Sequence, residues 1–142
     1  GGGNDTVNGM DGQDVISTGA GDDRIIYGEG DTLDGGTGFD TLVIEDDNLQ
    51  LDLGSLDAMN IEMIDLGVET ELSFTLQDII NFSDNDNMFV INGDANDGVT
   101  SLNQGWDYQG QDEFEGEMYN VYAVGQTNLL VQEDIIQDLS TI

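Results

Sequence analysis

The sequence predicts a mostly β chain: a short right-handed parallel β-roll over residues 1–43, then a β-rich capping region over 44–131 with one or two short helices, then a tail over 132–142. Three observations predict it. The first forty-three residues repeat with a period of nine, the stretch from 44 onward alternates apolar and polar residues in short runs, and turn residues separate those runs at the spacing of an all-β build.

The repeats come first. Cutting the chain as GGGNDTVN, GMDGQDVIS, TGAGDDRII, YGEGDTLD and GGTGFDTLV aligns Gly3, Gly12, Gly21, Gly30 and Gly38, and with them Asp5, Asp14, Asp23, Asp31 and Asp40. Val7, Ile16, Ile25, Leu33 and Leu42 each follow the aspartate by two places, so every unit reads as a glycine-acid loop leading into a very short strand. A flexible acidic linker has no reason to carry one branched aliphatic residue at the same place in every repeat.

This spacing has a chemistry. Calcium takes six to eight hard oxygen ligands and accepts backbone carbonyls beside carboxylates. Glycine turns let carbonyls point inward, because glycine reaches backbone angles that other residues avoid. Two nonapeptides make one coil, so like loops stack ~4.8 Å apart, a strand spacing. Stacking pairs Asp5 with Asp23, Asp14 with Asp31 and Asp23 with Asp40, which predicts about three sandwiched Ca2+ sites.

These nonapeptides resemble those of the repeats-in-toxin (RTX) proteins exported by bacterial type I secretion systems. The resemblance implies that each ion takes the aspartate and two carbonyls of one loop, and the aspartate and two carbonyls of the loop one coil later. Carried across, one site uses Gly1, Gly3 and Asp5 with Thr18, Ala20 and Asp23; a second uses Met10, Gly12 and Asp14 with Tyr27, Glu29 and Asp31; a third uses Gly19, Gly21 and Asp23 with Gly35, Thr37 and Asp40. One residue is missing from the register between Gly30 and Asp31, which departs from the pattern at the second and third sites.

Composition bounds the rest. The chain has 142 residues, enough for one domain with a core, and 37% of them are hydrophobic. Against 31 acidic residues stands one basic residue, Arg24, with no histidine, for a formal charge of -30. Such self-repulsion opposes a compact state unless a cation offsets it. Nucleic acid is excluded as a partner for want of basic groups, and anionic membrane surfaces would repel the chain. No apolar run is long enough for membrane insertion. Without histidine or cysteine, no His-based triad, cysteine nucleophile or HExxH zinc site exists here, so the segment is expected not to be an enzyme. Cysteine also gives no staple and no sign of compartment. No amino-terminal signal peptide is seen, and the chain opens inside a repeat, so it reads as a piece of a longer protein.

After the repeats, TLVIE (Thr41–Glu45) is expected to lengthen the last strand, and LQLDL (Leu49–Leu53) reads as the next. A turn of helix starts at Ser55 or Asp57. NIEMIDL (Asn60–Leu66), with Ile61, Met63 and Ile64 inward, and ELSFTL (Glu71–Leu76) read as further strands. A helix capped by Thr75, with Asp78 as acidic partner, carries Leu76, Ile79, Ile80 and Phe82, and SDNDN (Ser83–Asn87) ends it. MFVIN (Met88–Asn92) is a strand, GDANDG (Gly93–Gly98) a turn, and VTSL (Val99–Leu102) its hairpin partner. The turn fails the EF-hand pattern, which leaves an ordinary Asx-rich turn or a further calcium site. MYNVYAV (Met118–Val124) and NLLVQ (Asn128–Gln132) form a hairpin through GQT. Trp106 either fills the core or, with Tyr108, holds a sugar ring. The threonine ladder of an ice-contacting face is missing, since its positions read Gly2, Ala20 and Thr37 on one side and Asp11 and Glu29 on the other. Ile26 and Val43 point outward and mark a seam with the second half.

The later segments are similar to the carboxy-terminal region of giant RTX adhesins, so the resemblance covers nearly the whole chain. It implies a calcium-loaded monomer on the bacterial cell surface or secreted, exported by the type I machinery without an amino-terminal signal. A glycan- or peptide-binding module, or the roll of a secreted enzyme, is the rival reading. QEDIIQDLSTI (Gln132–Ile142) is either part of the export signal or a plain terminal strand.

Overall fold

A computed structural model describes residues 1–67, 69–83 and 88–139. Each nonapeptide forms one three-residue strand behind its aspartate: β1 (Thr6–Asn8), β2 (Val15–Ser17), β3 (Arg24–Ile26), β4 (Thr32–Asp34) and β5 (Thr41–Val43). Odd strands stack in one sheet and even strands in another, all parallel. Thr6 lies opposite Arg24, Arg24 opposite Thr41, and Val15 opposite Thr32. The first offset is eighteen residues and the other two are seventeen, as the missing residue before Asp31 requires.

The coils continue past the repeats. β6 (Gln50–Asp52) leads into a 3-10 turn at Leu53–Ser55, then β7 (Asp57–Met59), β8 (Met63–Asp65) and β9 (Glu71–Ser73). The helix α1 (Leu76–Phe82) starts with a complete capping box between Thr75 and Asp78. β10 (Met88–Asn92) and β11 (Gly98–Thr100) follow, then β12 (Asp107–Phe114), β13 (Glu117–Val124), β14 (Thr127–Gln132) and β15 (Ile136–Asp138). One face of the molecule is an eight-stranded sheet in the order β1-β3-β5-β8-β10-β14-β13-β12, antiparallel only at β14-β13-β12. The other face is split into a three-stranded sheet, β2-β4-β7, and a four-stranded one, β15-β11-β9-β6. Two of the three sheets run across residue 43, and β14 runs across the division at residue 131.

Several expectations are corrected. TLVIE extends no further as a strand than Val43, and the helical turn lies at Leu53–Ser55, so Asp57 opens a strand instead. VTSL is not the hairpin partner of β10: β11 crosses to the other face and pairs in parallel with β9 and β15, because the chain here is still coiling. The acidic stretch after Trp106 is an eight-residue strand, β12. Trp106 is buried, with Nε1 donating to Ser101 Oγ at 2.9 Å and its ring edge-on to Phe74, so it is core. Within the tail, β15 is a parallel strand on β11; residues 84–87 of the helix stop and 140–142 of the tail lie outside the described residues.

The repeat aliphatics Ile16, Ile25, Leu33 and Leu42 join one continuous core with Ile44, Ile61, Ile64, Phe82, Phe89 and Leu129. Of the two outward aliphatics, Val43 is buried and Ile26 half-buried. A second apolar cluster, Met63, Val90, Tyr119 and Leu130 with Phe39 and Phe114 against it, joins the roll to the β12–β13 hairpin. Tyr119 donates to Asn92 Oδ1 at 3.2 Å. Its burial, with Glu117, Glu115 and Asp65 adding, pushes the phenol up to about 12. A folded pKa above the unfolded value of 10.0 means that this contribution to stability is complete below pH ~10 and is lost as pH climbs through ~12, at about 1.4 kcal/mol per unit. Burial also raises the phenols of Tyr27 and Tyr122, so phenolate absorbance of the folded, calcium-loaded chain is expected to show several phenols titrating late with Tyr119 the last of them, and Tyr119→Phe removes that last step.

Candidate metal centre

The aspartates of the loops form ladders. Asp23 Oδ1 accepts the Asp5 backbone N–H at 2.7 Å, and Asp40 Oδ1 accepts that of Asp23 at 2.8 Å; on the other face Asp31 Oδ1 accepts that of Asp14 at 2.8 Å. Each carboxylate therefore reaches into the preceding layer with one oxygen. The second oxygen is the informative one. Oδ2 of Asp14, of Asp23 and of Asp31 is buried without a hydrogen-bond partner. An ionised carboxylate oxygen in that state is costly unless a cation completes it.

The loops around these oxygens are built by left-handed turns. Gly3, Gly12, Gly21, Gly30 and Gly38 all have positive φ, between 91° and 133°. On the odd face, stacked loops come so close that a Cβ on Gly21 would collide with the Gly3 carbonyl, one on Gly19 with that of Gly1, one on Gly36 with that of Gly19, and one on Gly38 with that of Gly21. Layer by layer, the Gly1 carbonyl accepts from Ala20 N–H, the Ala20 carbonyl from Gly3, the Gly19 carbonyl from Thr37 and the Thr37 carbonyl from Gly21, all at 2.8–3.0 Å. Thr18 Oγ1 donates to the Gly35 carbonyl at 2.7 Å. A carbonyl keeps a second lone pair after one hydrogen bond, so the donor set suits calcium: carboxylates supply charge and carbonyls fill the shell. Among the described residues no three carboxylates converge, so each layer offers two acids and leaves the rest to the backbone.

The structure brings together Gly1, Gly3 and Asp5 with Thr18, Ala20 and Asp23, and Gly19, Gly21 and Asp23 with Gly35, Thr37 and Asp40. The even face is different. Asp14 and Asp31 meet, but among the described residues no backbone hydrogen bond like those of Gly1 and Gly3 with Ala20 ties Met10 or Gly12 to Tyr27 or Glu29, and Gly30 faces the Gln13 side chain. The shortened fourth loop is the reason. In the second and fifth loops the first glycine, Gly9 or Gly35, sits against the carboxylate of its own loop, whereas in the fourth it is Gly28 that does so, with Asp31 N–H closing onto the Gly28 carbonyl at 3.3 Å. Tyr27 is thereby pushed out of the loop; its N–H bonds to Val43, and burial, with Glu29, Asp46 and Asp31 adding, raises its phenol pKa.

Two further rungs lie outside the repeats. Glu62 is buried and its Oε2 accepts the Asp40 N–H at 2.9 Å, one layer beyond the last aspartate. Its signal was E-x-U, since Glu62, Met63 and Ile64 repeat the frame of Asp40, Thr41 and Leu42. Asp97 in the GDANDG turn keeps D-x-U with Gly98 and Val99. Both its oxygens are already used, Oδ1 by Thr70 N–H at 2.9 Å and Oδ2 by Asp94 N–H at 2.8 Å, and burial raises its pKa. That turn is Asx-rich, with Asp94 Oδ1 accepting from Asn96 N–H.

Met10 occupies the place of Gly19 and Gly36, with φ of 70° where they have 106° and 90°. A side chain in this region costs about 1–2 kcal/mol. Because Met10 is 74% exposed and loses little burial, Met10→Gly is expected to raise the stability of the calcium-loaded chain by about 0.5–1 kcal/mol after the added unfolded-state entropy, measured by urea denaturation.

The family model of the RTX calcium-binding nonapeptide repeat matches residues 1–31 and 28–43, in four copies. No curated protein and no solved structure matches the chain. The ladder of aspartates over residues 1–43 is thus an RTX calcium-binding repeat segment, and the chain carries the calcium-binding module of an RTX protein.

Proposed function

We propose that this chain is a calcium-dependent folding and type I secretion module from the carboxyl end of a large exported bacterial adhesin. The observation that carries the reading is the set of buried carboxylate oxygens on Asp14, Asp23 and Asp31 that no protein group satisfies, in a chain of formal charge -30. Linkage turns that geometry into a switch. At cytosolic calcium, sites with dissociation constants of ~0.1–1 mM stay empty, and the polyanion stays open enough to thread a narrow channel. Outside the cell the same loops fill, and each site at a hundred times its dissociation constant adds about 2.7 kcal/mol.

Folding outside then biases the chain against sliding back. The type I machinery is a transient partner, and the tail is within its reach because Ile136–Asp138 is tied to β11 only in the folded state. Residues 1–142 hold neither histidine nor cysteine, so any catalysis of the longer protein is assigned elsewhere. A sugar platform at Trp106 is not favoured, because that ring is buried.

Excess chelator is expected to abolish the β-sheet circular dichroism signal, and millimolar calcium to restore it. Replacing Asp14, Asp23 and Asp40 together by asparagine should remove calcium-dependent folding and cut the exported yield; export and folding like those of the parent chain would sink the proposal.

A further inference from the structure

The sequence holds two Asn-Gly dipeptides, Asn8–Gly9 and Asn92–Gly93, and the fold treats them in opposite ways. In such a pair the glycine nitrogen faces the side-chain amide carbon of the asparagine, and glycine has no Cβ to hinder its approach. Asn92 is held at both ends of its amide. Its Nδ2 donates to Asp65 Oδ1 at 3.2 Å, and its Oδ1 accepts from the Tyr119 hydroxyl at 3.2 Å. Asp65 is itself fixed by Arg24 at 3.2 Å, so the Asn92 amide is pinned from two other strands and from the roll.

Asn8 is the reverse case. It ends β1 as an exposed residue, and among the described residues nothing holds its Nδ2. Its Oδ1 accepts the Met10 N–H at 2.9 Å, which closes an Asx turn. The ring of that turn passes through Gly9, so the Asn8 amide carbon is kept beside the Gly9 nitrogen. The same Met10 N–H donates to the oxygen that takes up negative charge when this carbon turns tetrahedral. The attacking nitrogen is free as well. The N–H that follows a strand is taken at Tyr27 by the Val43 carbonyl, at Ile44 by Asp65 and at Leu66 by Asn92, whereas among the described residues the Gly9 N–H has no acceptor.

We propose that Asn8 is a modification site, where the folded chain deamidates and isomerises without an enzyme. The Gly9 nitrogen bonds to Asn8 Cγ and the Cγ–Nδ2 bond breaks; Nδ2 leaves as ammonia, carrying the proton that Gly9 gives up. Water then opens the cyclic imide. Opening at Cγ leaves aspartate, and opening at the main-chain carbonyl leaves isoaspartate, whose main chain runs through Cβ and Cγ. Either product adds a negative charge to a chain of formal charge -30. Isoaspartate also lengthens the link from β1 to the second loop and removes the Asx turn. Because β1 is an edge strand paired only with β3, the lengthened link loosens the first coil while β3 and β5 keep their register.

The test holds the chain in calcium at mildly alkaline pH, with its fold checked by circular dichroism, and follows residues 8 and 92 by peptide mass mapping; isoaspartyl methyltransferase marks the isomerised product. Residue 8 is expected to convert about tenfold faster than residue 92 or more, the worth of one hydrogen bond on the locked amide. The aged parent should lose amide protection over residues 6–17, while Asn8→Ser, whose hydroxyl still accepts from Met10, should keep it. Conversion at residue 8 no faster than at residue 92 overturns the proposal. So does an Asn8 that stays intact over the time in which a free peptide of residues 5–12 converts.

Discussion

The constraint on which the structure depends is the stacking of like charges at strand spacing. Two carboxylates ~4.8 Å apart repel by about 3 kcal/mol at an effective dielectric of ~20, and the ladders stack Asp5 on Asp23, Asp23 on Asp40 and Asp14 on Asp31. Backbone N–H groups relieve one oxygen of each upper rung. The other oxygen of Asp23 and of Asp31 is buried and receives no hydrogen bond. What remains is a set of buried anionic oxygens in a chain with one arginine, and Arg24 is already engaged with Asp65 at 3.2 Å. Protein groups alone leave this arrangement incomplete, while a divalent ion between layers completes it.

The means of support changes along the chain although the coil does not. In the first coil Val15 is 84% exposed and Val7 only half-buried, so there is little apolar burial to set against the charge. In the later coils the pre-strand position passes from aspartate to Glu62 on the eight-stranded face and to Leu56 and Thr70 on the other, while Ile61, Ile64, Leu72, Phe89 and Val131 are sealed from water. Asp97 shows the transition in one residue. It keeps the rung position, yet both carboxylate oxygens are satisfied by backbone N–H groups, and the Ile135 side chain packs over Gly93 beside it. Hydrophobic burial and internal hydrogen bonds thus take over from the ion as the chain moves away from the repeats.

How much of this was legible follows from which interactions are local. The nonapeptide strands, their alternation between faces and the seventeen-residue offset could be read because each repeat carries its own turn, charge and core residue. The Thr75 cap and the hairpin of β13 and β14 were legible for the same reason, since both are settled within a few residues. The exchange of partners by β6 and β7 was not, because the pairing of Gln50 with Glu71 is decided by which neighbours lie in adjacent coils and not by either segment. β12 was hidden by its composition. DYQGQDEF is exposed along most of its length, so it shows no apolar alternation, and only the register with β13 makes it a strand. Within the site, the shift that puts Gly28 where a first glycine belongs follows from the missing residue, but the sequence shows only the gap and not which residue absorbs it.

The end of the repeats has its own physical marker, one place before the aspartate. Asn4 Oδ1 accepts the Asp22 N–H, and Asp22 Oδ1 accepts the Phe39 N–H, both at 2.9 Å, so an outer Asx ladder runs beside the inner one. Phe39 has no acceptor to offer a following layer and the ladder stops there. The same substitution supplies something new, since the Phe39 ring lies 5.6 Å from Phe114, which in turn meets Tyr119 edge-on at 6.0 Å. These rings bring the turn of the β12–β13 hairpin back over the outer face of the eight-stranded sheet. A single change from a polar to an aromatic residue therefore ends a pattern that further coils would extend indefinitely and anchors the element that covers the sheet. The outer ladder stops where an apolar contact replaces it, and from that layer onward the continuing coils rest increasingly on packing.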